Sequence, residues 1–293
     1  GVGAVVCGLL VNHTNREHIV ADPESYNIPG LHMIPSQEVE RLRFQVHISW
    51  HKELESLERL GLRDGLKVLD LGCGPGFVSA ELLMAFPGTE LSCLDSHPGL
   101  IREAESFVSE FGHENVDFRQ GEAHKTGYPG QHFDFILARF AFQHFKDPKA
   151  VVNECYRILK PGGMLVIIDV DDQFGFITEP PLVELDSISN ALARAQAKGG
   201  GNRNVGRWLY RLLKKSNFDR LDLSSVLVHS DECGLELFKH QLDFERYTPM
   251  MHHGFITRSQ MDHARQALER FIAHEDAMVM ASYIVCAGCR PVR

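Results

Sequence analysis

Three glycines at alternate positions, Gly72, Gly74 and Gly76, follow an apolar run that contains Asp70. A strand that breaks into such a turn and re-enters a helix lets a ligand meet backbone N–H groups closely, because glycine has no Cβ to obstruct it. The spacing is G-x-G-x-G, and Phe77 stands where a dinucleotide fingerprint wants its last glycine. Gly72, Cys73, Gly74 and Gly76 are therefore candidate binding residues. Asp70, just before the turn, is placed to fix it or to hold an ammonium group through water. Asp95 ends a second apolar run nineteen residues past Gly76, with Ser96 after it. A doubly wound fold places an acid there to accept hydrogen bonds from two ribose hydroxyls. Glu122 and Ala123 follow a third run. That pair suits an adenine edge: a carboxylate accepts from the exocyclic amine while a backbone N–H donates to the ring.

The elements that position these residues alternate. Strand candidates are 67–71, 90–94, 116–119, 133–138 and 164–168, separated by helical stretches 77–85, 99–111 and 149–159. Such alternation implies parallel pairing and a doubly wound α/β sheet. Residues 35–60 read as a preceding helix, with Val39, Leu42 and Val46 on one apolar face. After Asp169 the rhythm changes: loop and helix over 171–197, a helix over 205–215, and a strand over 220–229. A long excursion over 231–255 leads to an amphipathic helix over 257–274, with Ser259 a candidate N-cap, and a final apolar strand over 278–287. The expected fold is a mostly parallel, seven-stranded Rossmann-like sheet. It has an N-terminal helical lid and helical insertions after strand five and between the last two strands. One domain over 1–293 is expected, divided into a lid (1–60), a core (61–170) and a cap with the closing strands (171–293).

Composition narrows the partners. With 44% apolar residues the chain can bury a sizeable core, and its net charge of −9 argues against a nucleic-acid partner. Seven cysteines, an odd number scattered along the chain, suit a reduced, cytoplasmic protein. Cys286 and Cys289 form a lone C-x-x-C at the end of an apolar strand, which reads as structural; no metal is expected. The apolar N-terminal run, residues 1–11, is too short to span a bilayer and has no basic flank, so no membrane partner is expected. The missing initiator Met leaves open a chain cut from a longer polypeptide.

Five ordered motifs resemble those of the class I S-adenosylmethionine-dependent methyltransferases, small-molecule (natural-product or quinone-type) branch. Val68-Leu69-Asp70-Leu71-Gly72-Cys73-Gly74-Pro75-Gly76 is similar to the first, Leu94-Asp95-Ser96-His97-Pro98 to the second and Gly121-Glu122-Ala123 to the third. Phe133-Asp134-Phe135-Ile136, with His144 and Asp147-Pro148, is similar to the fourth, and Arg157-Ile158-Leu159-Lys160-Pro161-Gly162-Gly163 to the fifth. The resemblance implies S-adenosyl-L-methionine as cofactor and S-adenosyl-L-homocysteine as product. It implies that Arg139 and Phe140 border cofactor and acceptor. Arg41 and Gln45, four residues apart, share a helix face, which the resemblance sets at the methionine end. Tyr26, in a turn-rich segment, is a candidate cap over the pocket.

For the acceptor, His144 is the candidate base, since its unperturbed pKa lies near the working range; a positional role is the alternative. Arg203, in a segment that resembles one near the acceptor pocket, and Arg207 are candidates to bind a carboxylate or phosphate. His252 and His253 are further substrate candidates, although neighbours in a strand point to opposite faces and do not share a metal. Phe174, Phe176, Phe238, Phe244 and Tyr247 supply aromatic surface for an enclosed pocket.

The expected activity is methyl transfer to an oxygen, nitrogen or carbon atom of a small organic molecule, in secondary metabolism. A cofactor-binding domain of a larger biosynthetic assembly, with repurposed or no methyl transfer, is the alternative. Nucleic-acid methylation is disfavoured: Ala138-Arg139-Phe140-Ala141 replaces the Asn/Asp-Pro-Pro-aromatic run of base-amine enzymes, and no Pro-Cys occurs. Oligomeric state stays open, a dimer included.

Overall fold

The computed structural model describes residues 35–113 and 115–292; Tyr26 lies outside them. In chain order the elements are α1 (Pro35–Arg59), β1 (Lys67–Leu71), α2 (Phe77–Ala85), β2 (Glu90–Asp95), α3 (Pro98–Ser109), β3 (Asp117–Gln120), β4 (Phe133–Arg139), α4 (Pro148–Ile158) and β5 (Leu159–Asp169). There follow β6 (Phe176–Glu179), α5 (Glu184–Lys198), α6 (Gly206–Lys215), β7 (Asp219–His229), α7 (Ser230–Cys233), α8 (Leu235–Leu242), α9 (Thr248–His252), α10 (Arg258–Ile272) and β8 (Met278–Cys289).

β3, β2, β1, β4 and β5 lie side by side in that order, all parallel. Their side chains alternate between two cores, as the period of two requires. Val68, Phe135, Leu137, Val166 and Ile168 pack with α1, α2 and α3. Leu69, Leu71, Ile136, Ala138, Leu165 and Ile167 pack with α4 and α6 on the other face. A sheet covered on both faces needs strands that are apolar throughout, which is why these runs show no polar alternation.

β8 is antiparallel to β5 along Ile284–Cys289 and to β7 along its other edge. Its first residues extend past the end of β5, and β6 covers that edge by pairing Phe176–Glu179 with Met278–Ala281. Among the described residues the sheet therefore has eight strands, one more than expected. β6 falls in a stretch read as loop and helix, because four residues carry too little pattern to register and the backbone it satisfies belongs to a distant strand. Cys286 and Cys289 are buried in β8, on opposite faces three residues apart, and burial pushes the Cys286 thiol up to about 12.

The excursion before α10 folds into α7, α8, a 3-10 turn (Phe244–Tyr247) and α9. α10 starts two residues earlier than Ser259 suggests: Thr257 is the N-cap, and it forms a capping box with Gln260. α1 docks on these later elements. Arg59 donates to both carboxylate oxygens of Asp222 at 2.8 and 3.0 Å, Lys52 donates to the Leu227 carbonyl at 2.9 Å, and Phe44 stacks on His240 at 3.8 Å.

Candidate active site

The carboxyl ends of the parallel strands share one edge, and the chain reverses direction across the sheet between β1 and β4. Ligands settle at such a switch point. A cavity of about 840 Å³ opens there.

The glycine turn forms one wall. Gly72, Gly74 and Gly76 all have positive φ, at 80°, 55° and 84°. Their neighbours differ. A Cβ on Gly72 would meet the Ala141 Cβ at 2.8 Å, and one on Gly76 would meet the Ala104 Cα at 2.9 Å. Gly76 thus serves the packing of α2 on α3 and does not line the cavity. A Cβ on Gly74 would project into open space, so that residue leaves room beside the backbone.

Asp95 ties the turn to β2. Its Oδ2 accepts from the Gly74 N–H at 3.0 Å and its Oδ1 from the His97 N–H at 2.9 Å. Burial pushes the carboxyl up while these N–H groups pull it back. Each oxygen keeps a lone pair, enough for two hydroxyls. Asp70 is 1% exposed; Ser79 Oγ donates to it at 2.6 Å, and burial pushes it up to about 6. Ser96 and Glu122 line the cavity from exposed positions, and Ala123 lines it from a buried one.

Cys73, Arg41, Gln45, Arg139 and Phe140 line the same cavity. Arg41 Nη1 donates to Gln241 Oε1 at 3.0 Å, and Gln241 Nε2 donates back to the Arg41 carbonyl at 3.1 Å, which binds α1 to α8. Arg139 sits 4.3 Å over the Phe140 ring and gives its guanidinium to Glu53. Phe140 has φ 52°, an uncommon value for a side chain this large, and packs edge-on against Tyr283 at 4.8 Å. Glu53, fully buried, is a site residue that sequence reading missed. The signal was there: Val46, Trp50, Glu53 and Leu57 fall on one apolar face of α1, and an acid on that face needs a buried partner.

On the β4–β8 side, His144, Arg203, Tyr247 and Tyr283 line the cavity. His144 is exposed toward the cavity; the protein packed around it, and then the charges of Arg203 and Arg41, lower its imidazole to about 4. Gln143, also missed, organises this wall. Its N–H donates to Asp169 at 3.1 Å, its side-chain amide to the Phe140 carbonyl at 3.1 Å, and its own carbonyl accepts from Gln196 at 2.6 Å. His252 and His253 stay outside, exposed at the end of α9, where the buried Met250 turns them toward solvent. Of the five aromatic candidates only Phe176 and Tyr247 line the cavity; Phe238 and Phe244 are core, and Phe174 is exposed. Arg207 pairs with Asp171 outside it.

Open space beside Gly74, a carboxylate with spare lone pairs at the end of β2, and an acid past β3 fit a nucleoside with an amino-acid tail. Fold and cavity resemble those of the class I S-adenosylmethionine-dependent methyltransferases.

Comparison with known proteins agrees. Residues 69–167 match the family described as "Methyltransferase domain". The demethylmenaquinone methyltransferase of Anoxybacillus flavithermus is 30% identical over 129 residues, 44% of this chain and 54% of that protein. The uncharacterized methyltransferase YcgJ of Bacillus subtilis is 31% identical over 155 residues, 48% of this chain and 60% of that one. The chain thus spans little more than half the length of these relatives. Among solved structures, phosphoethanolamine N-methyltransferase 2 of Haemonchus contortus, in complex with phosphomonomethylethanolamine and S-adenosylhomocysteine, superposes with a TM-score of 0.54. It is 19% identical, and the match covers 83% of this chain and 53% of that one. The cyclase SpnF superposes with a TM-score of 0.51 at 18% identity, covering 82% of each chain. At these identities the likeness is one of fold.

Proposed function

We propose that this protein transfers a methyl group from S-adenosyl-L-methionine to an oxygen, nitrogen or carbon atom of a small organic molecule of secondary metabolism. One observation carries the reading. A single cavity of about 840 Å³ runs from the glycine turn and Asp95 to His144, Arg203 and Tyr247. Ligand pockets fall in a range of roughly 300–1,000 Å³, so this one has room for a cofactor and an acceptor together.

When bound, the cofactor supplies an electrophilic methyl group on a sulfonium sulfur. The chain's part is to hold and orient. The 72–74 turn, its N–H groups held by the Leu94 carbonyl and Asp95, leaves room for the amino-acid end, Asp95 accepts from the ribose hydroxyls with its remaining lone pairs, and Glu122 and Ala123 border the adenine. α1, with Arg41 and Gln45, covers the methionine end and excludes water. Orientation of this kind is worth roughly 7–11 kcal/mol of barrier. His144, neutral because its imidazole is held down to about 4, accepts a hydrogen bond from the acceptor's O–H or N–H and aims its lone pair.

Lid, core and cap act as one domain in this proposal, supported by the bonds from α1 to β7 and α8. A reduced, cytoplasmic setting belongs to it as well, supported by free, buried Cys73, Cys93, Cys155, Cys286 and Cys289. No helix among the described residues is long and apolar enough to cross a membrane. The cyclase SpnF lends support to a second reading, cofactor binding without transfer inside a larger assembly.

Calorimetry with S-adenosylmethionine and S-adenosylhomocysteine, followed by incubation with methyl-labelled cofactor and a metabolite extract, separates the readings. Binding with a labelled product supports methyl transfer. Binding with no label in any extract supports the second reading, and no binding overturns both.

A further inference from the structure

The cavity is unevenly charged, and the sheet order is the reason. Asp70 in β1, Asp95 at the end of β2, Glu103 on α3 and Glu122 after β3 line the β1–β3 half. Arg139 at the end of β4, Lys146 after it and Arg203 before α6 line the β4–β8 half, and Arg41 comes in from the lid. The acids on that second half are engaged elsewhere. Glu53 holds Arg139, Asp147 caps α4 through the Ala150 N–H at 3.0 Å, and Asp169 accepts from the Val170 and Gln143 N–H groups at 2.8 and 3.1 Å.

Arg203 is the cation best fixed toward a ligand. Its Nε and Nη2 donate to Asp172 at 2.8 and 2.7 Å, and its Nη1 donates to Gln143 Oε1 at 2.7 Å. An arginine has five N–H donors. The two beyond these bonds sit one on each terminal nitrogen of the guanidinium fork, donors for an anion that enters the cavity. Gln143 is itself pinned by Asp169 and the Phe140 carbonyl, so the fork is held in place before any ligand arrives. Arg207, the other sequence candidate, lies outside the cavity. Tyr247, Tyr283 and Phe140 give the surrounding wall aromatic surface.

Charge selects among anions. Asp172 already balances the Arg203 guanidinium, and Lys146 is exposed. With that charge already balanced, an anion gains hydrogen bonds at Arg203 and carries its own charge at a desolvation cost, so a monoanion is favoured over a doubly charged phosphate.

We propose that the methyl acceptor carries a carboxylate, bound end-on by Arg203 in the β4–β8 half of the cavity. This rests on the methyl-transfer reading above. The acceptor class is a small carboxylic acid, aromatic or similarly flat, with its nucleophilic atom presented toward the glycine-turn half.

The test uses the full chain, methyl-labelled cofactor and a matched panel: hydroxybenzoic and aminobenzoic acids, their methyl esters, and hydroxyphenyl phosphate. The acids are expected to show kcat/KM about tenfold or more above their esters. Arg203→Met is expected to erase that preference through KM of the acids, Arg203→Lys to keep part of it, and Arg207→Met to leave it intact. Esters equal to acids, or an acid preference that survives Arg203→Met, overturn the proposal; a preference for the phosphate overturns the carboxylate. If no panel member is labelled, calorimetry on the protein saturated with S-adenosylhomocysteine decides, and acids that bind no better than esters overturn it. Binding of S-adenosylhomocysteine by each variant is the control for folding. Its loss in the unmodified protein would sink the methyl-transfer reading itself, a separate outcome.

Discussion

Arg139 and Glu53 meet fork to fork, Nε to Oε2 at 2.6 Å and Nη2 to Oε1 at 2.9 Å, with side chains 6% and 0% exposed. Ser49 joins through its hydroxyl, which donates to Glu53, and Arg139 Nη2 also reaches the Gln45 carbonyl at 3.3 Å. A residue at the mouth of the cavity is thereby bound to the helix that covers it. Breaking one side of a buried pair leaves a charge without a partner, which costs about 3–5 kcal/mol. Glu53→Leu should lower unfolding stability by that order in urea titrations. Glu53→Leu with Arg139→Met should recover much of the loss. A single-variant cost near zero would show that α1 docks independently of this pair.

The three turn glycines should separate by role. Gly76→Ala drives a methyl group into the Ala104 backbone at 2.9 Å, so loss of stability is expected. Gly74→Ala meets nothing within 4 Å, and its positive φ costs only about 1–2 kcal/mol. That variant should fold and bind S-adenosylhomocysteine weakly. Thermal unfolding and calorimetry on both variants check the contrast; equal effects on both readouts would remove it.

Asp95 has two tasks, holding the turn and meeting the ribose. Asp95→Ala removes the acceptor for Gly74 and His97 N–H groups. Hydrogen bonds to a charged group are worth roughly 1.5–3 kcal/mol, so cofactor affinity should fall by at least about tenfold. Asp95→Asn, which keeps one oxygen, should lie between. Unchanged affinity in Asp95→Ala would take Asp95 out of the site.

Asp169 links stability to pH. Burial raises its carboxyl to about 7 from the ordinary 3.8. Between those values the folded chain holds a proton that the unfolded chain has released, so this group's stabilising contribution is complete below 3.8 and is lost as pH rises through about 7. Subtracting the pH–stability curve of Asp169→Asn from that of the unmodified protein should leave a difference that falls over this window. A flat difference would mean that Asp169 is ionised throughout.

His144 should leave no mark on activity near its ordinary value. With the imidazole held down to about 4, kcat/KM should show no limb at the pH where a free histidine titrates. His144→Gln should lower the rate without changing the shape of the profile. A limb near 6.5 that vanishes in His144→Gln would restore the base role.

Much of the fold was legible because it rests on local pattern. Short apolar runs punctuated by Gly72–Gly76 or by Lys160-Pro161-Gly162-Gly163 can only be buried strands leaving a covered sheet. β6 and the short helices α7 to α9 were not legible, since their pairing and packing depend on residues far along the chain. Gln143 shows the same limit at the site. Nothing local marks it, yet through Asp169, Phe140, Arg203 and Gln196 it holds one wall together.

The sequence by itself determined the order of motifs, the glycine spacing that turns away a dinucleotide, and the acids at the ends of β2 and β3. These are properties of a few adjacent residues, dictated by backbone sterics and by the period of a strand. Only the tertiary structure decided that Gly76 packs a helix while Gly74 leaves space for a ligand. It also decided that His252 and His253 face solvent, and that Glu53 holds Arg139. Which side chains meet across 86 residues, as Arg139 and Glu53 do, is settled by how α1 packs across the ends of the strands, a long-range outcome that no local pattern encodes.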